Sequence, residues 1–537
     1  MPQNKIVTAA DAVTLIQSGD TIATAGFVGV GFAEHIAQAL ETRFLETQQP
    51  TDLSLVYAAG QGDGQRRGLN HFAHSGMIRR VIGGHWGLVP GLGRMAQNNE
   101  IEGYNLPQGV ICHLFRDIAA GKPGTLTHVG LHTFVDPRQE GGRLNSRTPE
   151  GLVRLMEIDG QEYLFYKAFP IQIALLRGTT ADRKGNISME KEALPLESLA
   201  IAQAVKNSGG MVIVQVERLT EQHRLHPSMV RLPGILVDRV VVAPPEEHWQ
   251  TFGERYNPSY TGEVVADTQL ASAPLNERKL IARRALLELS PGATINLGIG
   301  MPETVAPVAA EEALLDQVTM TIEPGGIGGL PAGGLSFGAV INPESVIDQP
   351  AQFDFYDGGG LDQAFLGMAQ VSPEGHVNVS RFGPKIAGAG GFINISQNAR
   401  EIYFMGTFLS GKPALRIGSE GIQVGADSGA RKFVNAVEQI TFNGRYAAQK
   451  GQRVLYITEH CVFLLTAEGI KLVEIAPGVD LQRDILAQME FQPLMATDLK
   501  LSDRRIYRNG PMNLRHVGSA GIGELRQAIA CAPHLIY

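Results

Sequence analysis

The stretch "GATINLGIGMPETVAPVAAEE", residues 292–312, decides the fold. The apolar residues at its start are typical of a short buried strand, and the glycines that follow are typical of a tight turn. The last part has apolar residues at helical spacing, which predicts a helix. An earlier stretch, "GDTIATAGFVGVGFAEHIAQALE", residues 19–41, follows the same order. Strands that alternate with helices predict an α/β protein with mostly parallel sheets that are covered on both faces.

Two further pairs of segments repeat in the same order. "ALLRGTTADRKGNIS" from Ala174 aligns without gaps with "AFLGMAQVSPEGHVN" from Ala364, and both predict a strand, a glycine turn and a second strand. "VDRVVVAPP" from Val237 is similar to "IKLVEIAPG" from Ile470. Three matches in one order predict two homologous open α/β halves.

The boundary between the halves is predicted from composition. Residues 256–274, "YNPSYTGEVVADTQLASAP", are polar, small and interrupted by proline and glycine, which indicates a linker. The first half is then residues 1–255 and the second half residues 275–537. Two related halves favour a ligand site in the cleft between them.

Composition and charge restrict the class of protein. The chain has 537 residues, too many for one core, and its formal net charge of −8 argues against a nucleic-acid partner, which needs a basic face. The three cysteines, Cys112, Cys461 and Cys531, form no CxxC pair and no disulfide framework, which indicates a reducing compartment. No signal peptide or bilayer-length apolar run is found, so we expect a cytoplasmic protein.

Glu323 is the main candidate for chemistry. In "MTIEPGGIGGLPAGGLSFG", residues 320–338, an apolar run predicts a strand that ends at Glu323, and Pro324-Gly325-Gly326 breaks it. Ligands of open α/β sheets bind at the carboxyl ends of strands. From this stretch alone, an acidic residue in a surface turn is an equal alternative.

A second glycine-rich segment, "RFGPKIAGAGGFINIS", spans residues 381–396. Its glycines precede a β-rich run and expose backbone N–H groups that could stabilise an oxyanion. The candidate donors are Gly388, Ala389, Gly390 and Gly391. A turn shaped only by packing is the alternative. Lys385 could bind a phosphate or be simply solvated.

The turn "LGIGMPE" allows two kinds of ligand. Gly298 and Gly300 form part of a dinucleotide fingerprint, but Glu303 occupies its third position and no acidic ribose partner follows. Met301 and Pro302 resemble a helix N-terminus, which could hold a phosphate or a carboxylate. A tight strand–helix turn without a ligand is the alternative.

Other motifs are less specific. "YDGGGLDQAF", residues 356–365, places Asp357 and Asp362 around three glycines, but no further ligand stands at metal-binding spacing, so we predict no metal site. His85 in "GGHWGLVPG" could be a base, although a structural histidine is the favoured interpretation. Gln108 in "YNLPQGV" could present its amide to a carboxylate or cap a turn.

These motifs together resemble family I coenzyme A transferases. "EPGGIGGLP" is similar to the segment that carries the catalytic glutamate of that family, and "LPQG", "NLGIGMPE" and "GAGGF" resemble its other signatures. "GGHWG", "YNLPQG" and "FDFYDGGGLD" look most like the single-chain branch that acts on acetate, propionate and butyrate. The resemblance spans nearly the whole chain. In relatives such as succinyl-CoA:3-ketoacid transferase an asparagine and one glycine follow the glutamate, whereas Pro324 and Gly325 follow it here.

The resemblance implies a ping-pong transfer of CoA from a short-chain acyl-CoA to a carboxylate such as acetate, with Glu323 as the covalent nucleophile. Coenzyme A is then a cosubstrate, with no other cofactor and no metal, and the protein is a homo-oligomer. The oxyanion hole is residues 388–391. The candidate contacts to CoA or the acyl group are Gln108, Gly298, Gly300, Met301, Gly325, Gly326, Gly359, Gly360 and Lys385.

Two alternatives remain at this stage. One is a nucleotide-dependent oxidoreductase that uses the Gly298–Gly300 turn, and a complete fingerprint would favour it. The other is a non-enzymatic small-molecule sensor, which a DNA-binding helix-turn-helix or basic arm would favour. The sequence contains no complete dinucleotide fingerprint, no DNA-binding helix-turn-helix and no basic arm.

Overall fold

The computed structural model describes residues 4–221, 224–268, 272–411, 414–425 and 429–514. Within these ranges the first half contains an eight-stranded sheet in which every neighbouring pair is parallel. In order across the sheet, its strands are Ile6–Val7, Arg239–Val242, Met211–Val216, Ile173–Arg177, Thr21–Thr24, Leu53–Tyr57, Ile78–Gly83 and Glu102–Asn105. Its helices are Ala9–Val13, Glu34–Thr47, Pro90–Gln97, Gln108–Ala119 and Ser198–Asn207.

Smaller sheets complete the first half. A three-stranded antiparallel sheet contains Gly124–Thr127, Gln161–Lys167 and Val153–Ile158. A four-stranded sheet contains Arg218–Thr220, Thr180–Asp182, Ile187–Ser188 and Val230–Leu232.

The second half is built around a ten-stranded mixed sheet. In order across the sheet, the described strands are Ser345–Val346, Gly326–Ile327, Thr319–Thr321, Thr294–Leu297, Gln363–Gly367, Glu401–Met405, Arg453–Ile457, Cys461–Thr466, Gly469–Ile475 and Leu494–Leu501. The five strands from Thr319–Thr321 to Arg453–Ile457 run parallel. The helices are Glu277–Leu286, Val305–Glu311, Gln349–Asp357, Phe392–Asn398 and Gly444–Gln449. The predicted α/β class with mostly parallel sheets is confirmed.

The repeat is visible in the strand register. Thr21 pairs with Ser54 in the first sheet, and Thr294 pairs with Thr319 in the second. Thr21 and Thr294 hold the same place in the two repeated stretches. Their pairing partners therefore hold equivalent places too, and the residues four positions after those partners are Ala58 and Glu323. The first half therefore has an alanine at the position where the second half has its candidate nucleophile.

The matches after Ala174 and Ala364 also occupy equivalent places, because Ile173–Arg177 lies beside Thr21–Thr24 just as Gln363–Gly367 lies beside Thr294–Leu297. Each is followed by a small antiparallel hairpin, and the turns contain Gly185 at φ +83° and Gly375 at φ +77°. A positive φ favours glycine, which explains the matching glycines.

The third match is wrong. Arg239–Val242 lies parallel beside Met211–Val216, and the strand in the equivalent place is Arg453–Ile457, parallel beside Glu401–Met405. Gly469–Ile475, which contains Ile470, lies two strands further along and runs antiparallel to its neighbour. Short apolar strands share composition wherever they lie, so their similarity does not fix a place in a sheet.

The predicted β-rich run after Gly391 is also wrong, because Phe392–Asn398 is an α-helix. Its first six residues are all buried. Packing on several sides outweighs the strand preference of Ile393 and Ile395, since intrinsic propensities amount to less than about 1 kcal/mol per residue.

The two halves pack together through helices. Gln108–Ala119 of the first half contacts Gln349–Asp357 and Phe392–Asn398 of the second half. The proposed boundaries at residues 255 and 275 stay a prediction. Within the described ranges, no helix combines the length and the apolar character needed to cross a bilayer. Cys112 and Cys461 are buried free thiols, while Cys531 lies outside the described residues.

Candidate active site

A cavity of about 210 Å³ lies between the halves and contains Glu323. From the first half, its lining includes Phe27, Val28, His85, Leu88 and Gln108. From the second half, it includes Gly298, Ile299, Leu366, Val379 and residues 387–392. The cleft between the halves is thus the place where the candidate nucleophile meets residues far away in sequence.

The Glu323 carboxylate is held in an apolar setting. Strand Thr319–Thr321 ends two residues before Glu323, and the residue is only 9% exposed. Its Oε2 is buried and has no hydrogen-bond partner among the described residues. This burial raises the pKa of Glu323 to about 7. Glu323 is therefore not an acidic residue of a surface turn, and its ionised form is weakly solvated and reactive.

Gly391 lets the backbone approach Glu323 closely. A Cβ atom at Gly391 would lie 2.9 Å from Glu323 Cγ and 3.4 Å from Phe353 Cζ. Real Cβ atoms do not approach carbon so closely, so only glycine fits here without a shift of the Glu323 side chain.

Three of the four predicted oxyanion donors are already used within the protein. Gly388 N donates to Ser380 O at 3.0 Å, and Gly390 N donates to Gly84 O at 2.7 Å. Ala389 N donates to Asn105 Oδ1 at 2.9 Å. The bonds to Gly84 and Asn105 attach the segment to the first half, and the bond to Ser380 lies within the second half. Because all three N–H groups are already paired, the prediction that Gly388, Ala389 and Gly390 donate to an oxyanion is corrected. Gly391 N alone among the four makes no hydrogen bond within the described part of the chain.

Gln108 faces the cavity from the first half. It begins helix Gln108–Ala119, and its backbone N donates to Gly390 O at 3.0 Å. The next amide, Gly109 N, donates to Asn394 Oδ1 at 3.1 Å. The side-chain Nε2 of Gln108 is buried without a partner in the described ranges. A buried unpaired donor in a cavity is poised to bind a ligand oxygen.

His85, for which the sequence favoured a structural role over that of a base, lines the cavity. It forms an isolated antiparallel bridge with Gly388. Burial lowers the pKa of His85 to about 4, so the imidazole is neutral. The glycines on both sides of it, in "GGHWG", were the available signal, because they allow the second half to approach closely.

The apolar part of the first-half wall was missed. Phe27 and Val28 follow strand Thr21–Thr24, in the loop equivalent to the predicted Gly298 turn. Applying the repeat to that turn would have identified them. Gly298 itself does line the cavity, as does its neighbour Ile299.

Several predicted contacts lie outside the cavity. Gly325 and Gly326 serve packing, because Cβ atoms there would lie 2.0 Å from Ile347 O and 2.5 Å from Val340 Cγ2. Gly300 and Met301 follow the turn but do not line the cavity, and Lys385 is exposed in a small hairpin.

Gly359 and Gly360 end a helix. Gly359 N donates to Tyr356 O at 3.0 Å and Gly360 N donates to Phe355 O at 2.9 Å, with Gly359 at φ +87°. This is a Schellman motif that closes helix Gln349–Asp357. Gly359 lines a different cavity from Glu323, so these glycines have a structural explanation that the resemblance did not supply.

The acidic pair of the same segment is bonded within the protein. Asp357 accepts from Asn394 Nδ2 at 3.0 Å, and Asp362 accepts from Thr294 N at 2.9 Å. In the described part of the chain, no group of three or more His, Cys, Asp or Glu residues has the arrangement of a metal site.

Known proteins are similar to this chain over most of its length. The family model described as Coenzyme A transferase matches residues 6–243. The chain is 44% identical over 510 residues to the caffeate CoA-transferase of Acetobacterium woodii, covering 94% of this chain and 97% of the relative. It is 41% identical over 510 residues to the acetate CoA-transferase YdiF of Escherichia coli K12, covering 94% and 96%. The crystal structure of the acyl-CoA transferase YdiF of E. coli O157:H7, a thioester complex with CoA, has a TM-score of 0.91 and 40% identity, and covers 95% of this chain and 98% of that chain.

Proposed function

Since this chain belongs to the coenzyme A transferase family, as a single-chain family I member that moves CoA between an acyl-CoA and a carboxylate, we propose that acetate or another short-chain acid is its acceptor and that Glu323 carries CoA as a thioester. The observation that carries this proposal is the buried Glu323 carboxylate in a mostly apolar cavity, where Oε2 has no hydrogen-bond partner among the described residues. The thioester complex described for YdiF supports the covalent part.

The reaction proceeds through two covalent states. The Glu323 carboxylate attacks the thioester carbonyl, the C–S bond breaks, and CoA thiolate leaves an acyl–glutamyl anhydride. The thiolate then attacks the glutamyl carbonyl, the C–O bond breaks, and the first carboxylic acid leaves as its anion. An incoming carboxylate reverses these steps and leaves as the new acyl-CoA.

The cavity supplies what these steps need. Each step passes through a tetrahedral oxyanion, and Gly391 N and Gln108 Nε2 are donors in the cavity that have no partner among the described residues. Apolar walls from Phe27, Leu88 and Phe392 exclude the water that would hydrolyse the anhydride and the thioester.

Similarity does not distinguish between acceptor acids, because relatives of comparable identity are named for caffeate and for acetate. The motifs "GGHWG" and "FDFYDGGGLD" favour the short-chain branch. Rates with acetate, propionate, butyrate and caffeate as acceptors for one acyl-CoA donor measure this directly. We expect the highest kcat/KM with a short-chain acid, and a preference for caffeate would contradict that assignment.

The decisive experiment traps the covalent state. Incubation with acetyl-CoA and no acceptor should add CoA to one peptide that spans Glu323, as detected by mass spectrometry. Glu323→Ala should remove both the adduct and CoA transfer while the protein stays folded. An adduct on another peptide, or near-normal transfer by the alanine variant, would contradict the proposal.

A homo-oligomer in the cytoplasm belongs to the same proposal, on the basis of the family resemblance and the composition. Light scattering of the purified protein measures the assembly, and a monomer at micromolar concentration would contradict it.

A further inference from the structure

The polar groups on the first-half wall of the active-site cavity are neutral. No lysine or arginine of the described residues lines the cavity. The first-half side chains that offer nitrogen donors there are Gln108 and His85. A carboxylate that enters the cavity therefore finds no cation among the described lining residues and depends on neutral donors there.

Glycines surround the His85 ring and fix its position. A Cβ atom at Gly60 would lie 2.5 Å from His85 Nδ1, and one at Gly87 would lie 3.0 Å from Cε1. On a third side, a Cβ atom at Gly390 would lie 3.8 Å from Cδ2. The ring thus packs directly on backbone from both halves, and this packing sets its orientation, since the ring makes no hydrogen bond to any described residue.

The burial of the two ring nitrogens assigns the tautomer. Nδ1 is fully buried and has no hydrogen-bond partner among the described residues. Nε2 also makes no hydrogen bond to a described residue, but it is not fully buried. A buried N–H without an acceptor is more unfavourable than a buried lone pair. The proton therefore resides on Nε2, the ring nitrogen that is not fully buried, in a residue that lines the cavity.

We infer that the Nε2–H group of His85 binds the carboxylate of the acceptor acid, alongside Gln108, and holds it for attack on the glutamyl-CoA thioester. This role rests on the proposed function. A neutral donor suits it, because a cation would stabilise the attacking carboxylate in the ground state and reduce its reactivity. With a pKa of about 4, His85 also forms no ion pair with Glu323 at neutral pH.

Positional variants of His85 test this inference. The amide nitrogen of His85→Gln reaches the place of Nε2, whereas that of His85→Asn reaches the place of Nδ1 and faces Gly60. His85→Leu keeps bulk and removes both nitrogens. The glutamyl-CoA form of each variant is prepared with acetyl-CoA, freed of acetate and excess acetyl-CoA, and then mixed with acetate or with hydroxylamine.

Hydroxylamine is the matched control because it needs no carboxylate site. It attacks the glutamyl carbonyl, the C–S bond breaks, CoA leaves as the thiol, and a glutamyl hydroxamate remains. Loss of one hydrogen bond should raise the half-saturating acetate concentration about tenfold in the Leu and Asn variants. The Gln variant should stay within about threefold of wild type, and all variants should react with hydroxylamine at the wild-type rate.

The outcomes separate the possible roles. Unchanged acetate saturation in the Leu and Asn variants would overturn the role of His85. An equal loss towards acetate and hydroxylamine would also overturn it and show that His85 only maintains the cavity. A wild-type protein that forms no CoA adduct would overturn the proposed function itself, and the role of His85 with it.

Discussion

At the scale of single residues, the burial of Glu323 is linked to stability as well as to reactivity. Its pKa is about 7 in the folded protein and 4.5 without burial, so the folded state binds this proton more tightly. Stability therefore falls as the pH rises from about 4.5 through 7. A shift of this size corresponds to about 3 kcal/mol.

We expect Glu323→Gln to raise the free energy of unfolding by up to about 3 kcal/mol at pH 8 and by much less at pH 4. The reason is that glutamine removes the buried charge but keeps the shape. Denaturant unfolding at the two pH values measures the difference, with Glu344→Gln as a control at an exposed position. A variant that is less stable than wild type at pH 8 would refute the desolvation argument.

The same shift predicts the pH dependence of catalysis. Only the ionised carboxylate attacks a thioester, so kcat/KM for acyl-CoA should rise with pH and level off above an apparent pKa of about 7. Initial rates between pH 5 and pH 9 measure this profile. A flat profile from pH 5 upward would mean that the substrate-free carboxylate is solvated.

At the scale of elements, residues 388–391 join the halves and position Glu323. Gly391 has φ −80°, which any residue can adopt, so alanine is excluded there only by the contact with Glu323. A displacement of the carboxylate by about 1 Å can reduce the rate on the order of 100-fold.

We therefore expect Gly391→Ala to lower kcat about 100-fold while the melting temperature changes little. The control is Gly333→Ala, since a Cβ atom at Gly333 meets nothing within 4 Å. Steady-state rates and thermal unfolding of both variants give the comparison. Near-normal activity of Gly391→Ala would show that Glu323 moves aside without loss.

Elements also show what the sequence could predict. The strand before Glu323 was predicted because an uninterrupted apolar run has one simple explanation. Helix Phe392–Asn398 was not predicted, because packing against distant segments outweighs the strand preference of its residues. The glycines at 359 and 360 could equally mark a ligand or a helix end, and only the hydrogen bonds decide.

At the scale of the whole molecule, the site exists only where the halves meet. Backbone bonds such as Trp86 N to Ala387 O at 2.7 Å cross the interface beside the cavity. The two-half repeat could be predicted because similar segments recur in the same order along the sequence. The bridge between His85 and Gly388 could not be predicted, since no local sequence pattern indicates a contact between segments that are distant along the chain.

The interface should survive a cut in the linker. Val265 is 84% exposed, so a protease site inserted between Val264 and Val265 should be cleaved in the folded protein. We expect the two fragments to elute together and to keep most of the activity, because the contacts between halves are unchanged. The uncut insertion is the control, and fragments that separate on gel filtration would show that the linker holds the halves together.

The alanine at position 58, which corresponds to Glu323 in the repeat, has a consequence for evolution. The two copies of the repeat differ here, because one has the candidate nucleophile and the other an alanine that cannot take that role. The copy with the alanine supplies Phe27, Val28, Leu88 and Gln108 to the cavity wall. Mutations in the first half can thus change which acid is accepted without altering Glu323 in the second half. Variants selected for new acceptor acids should therefore carry their substitutions in the first half.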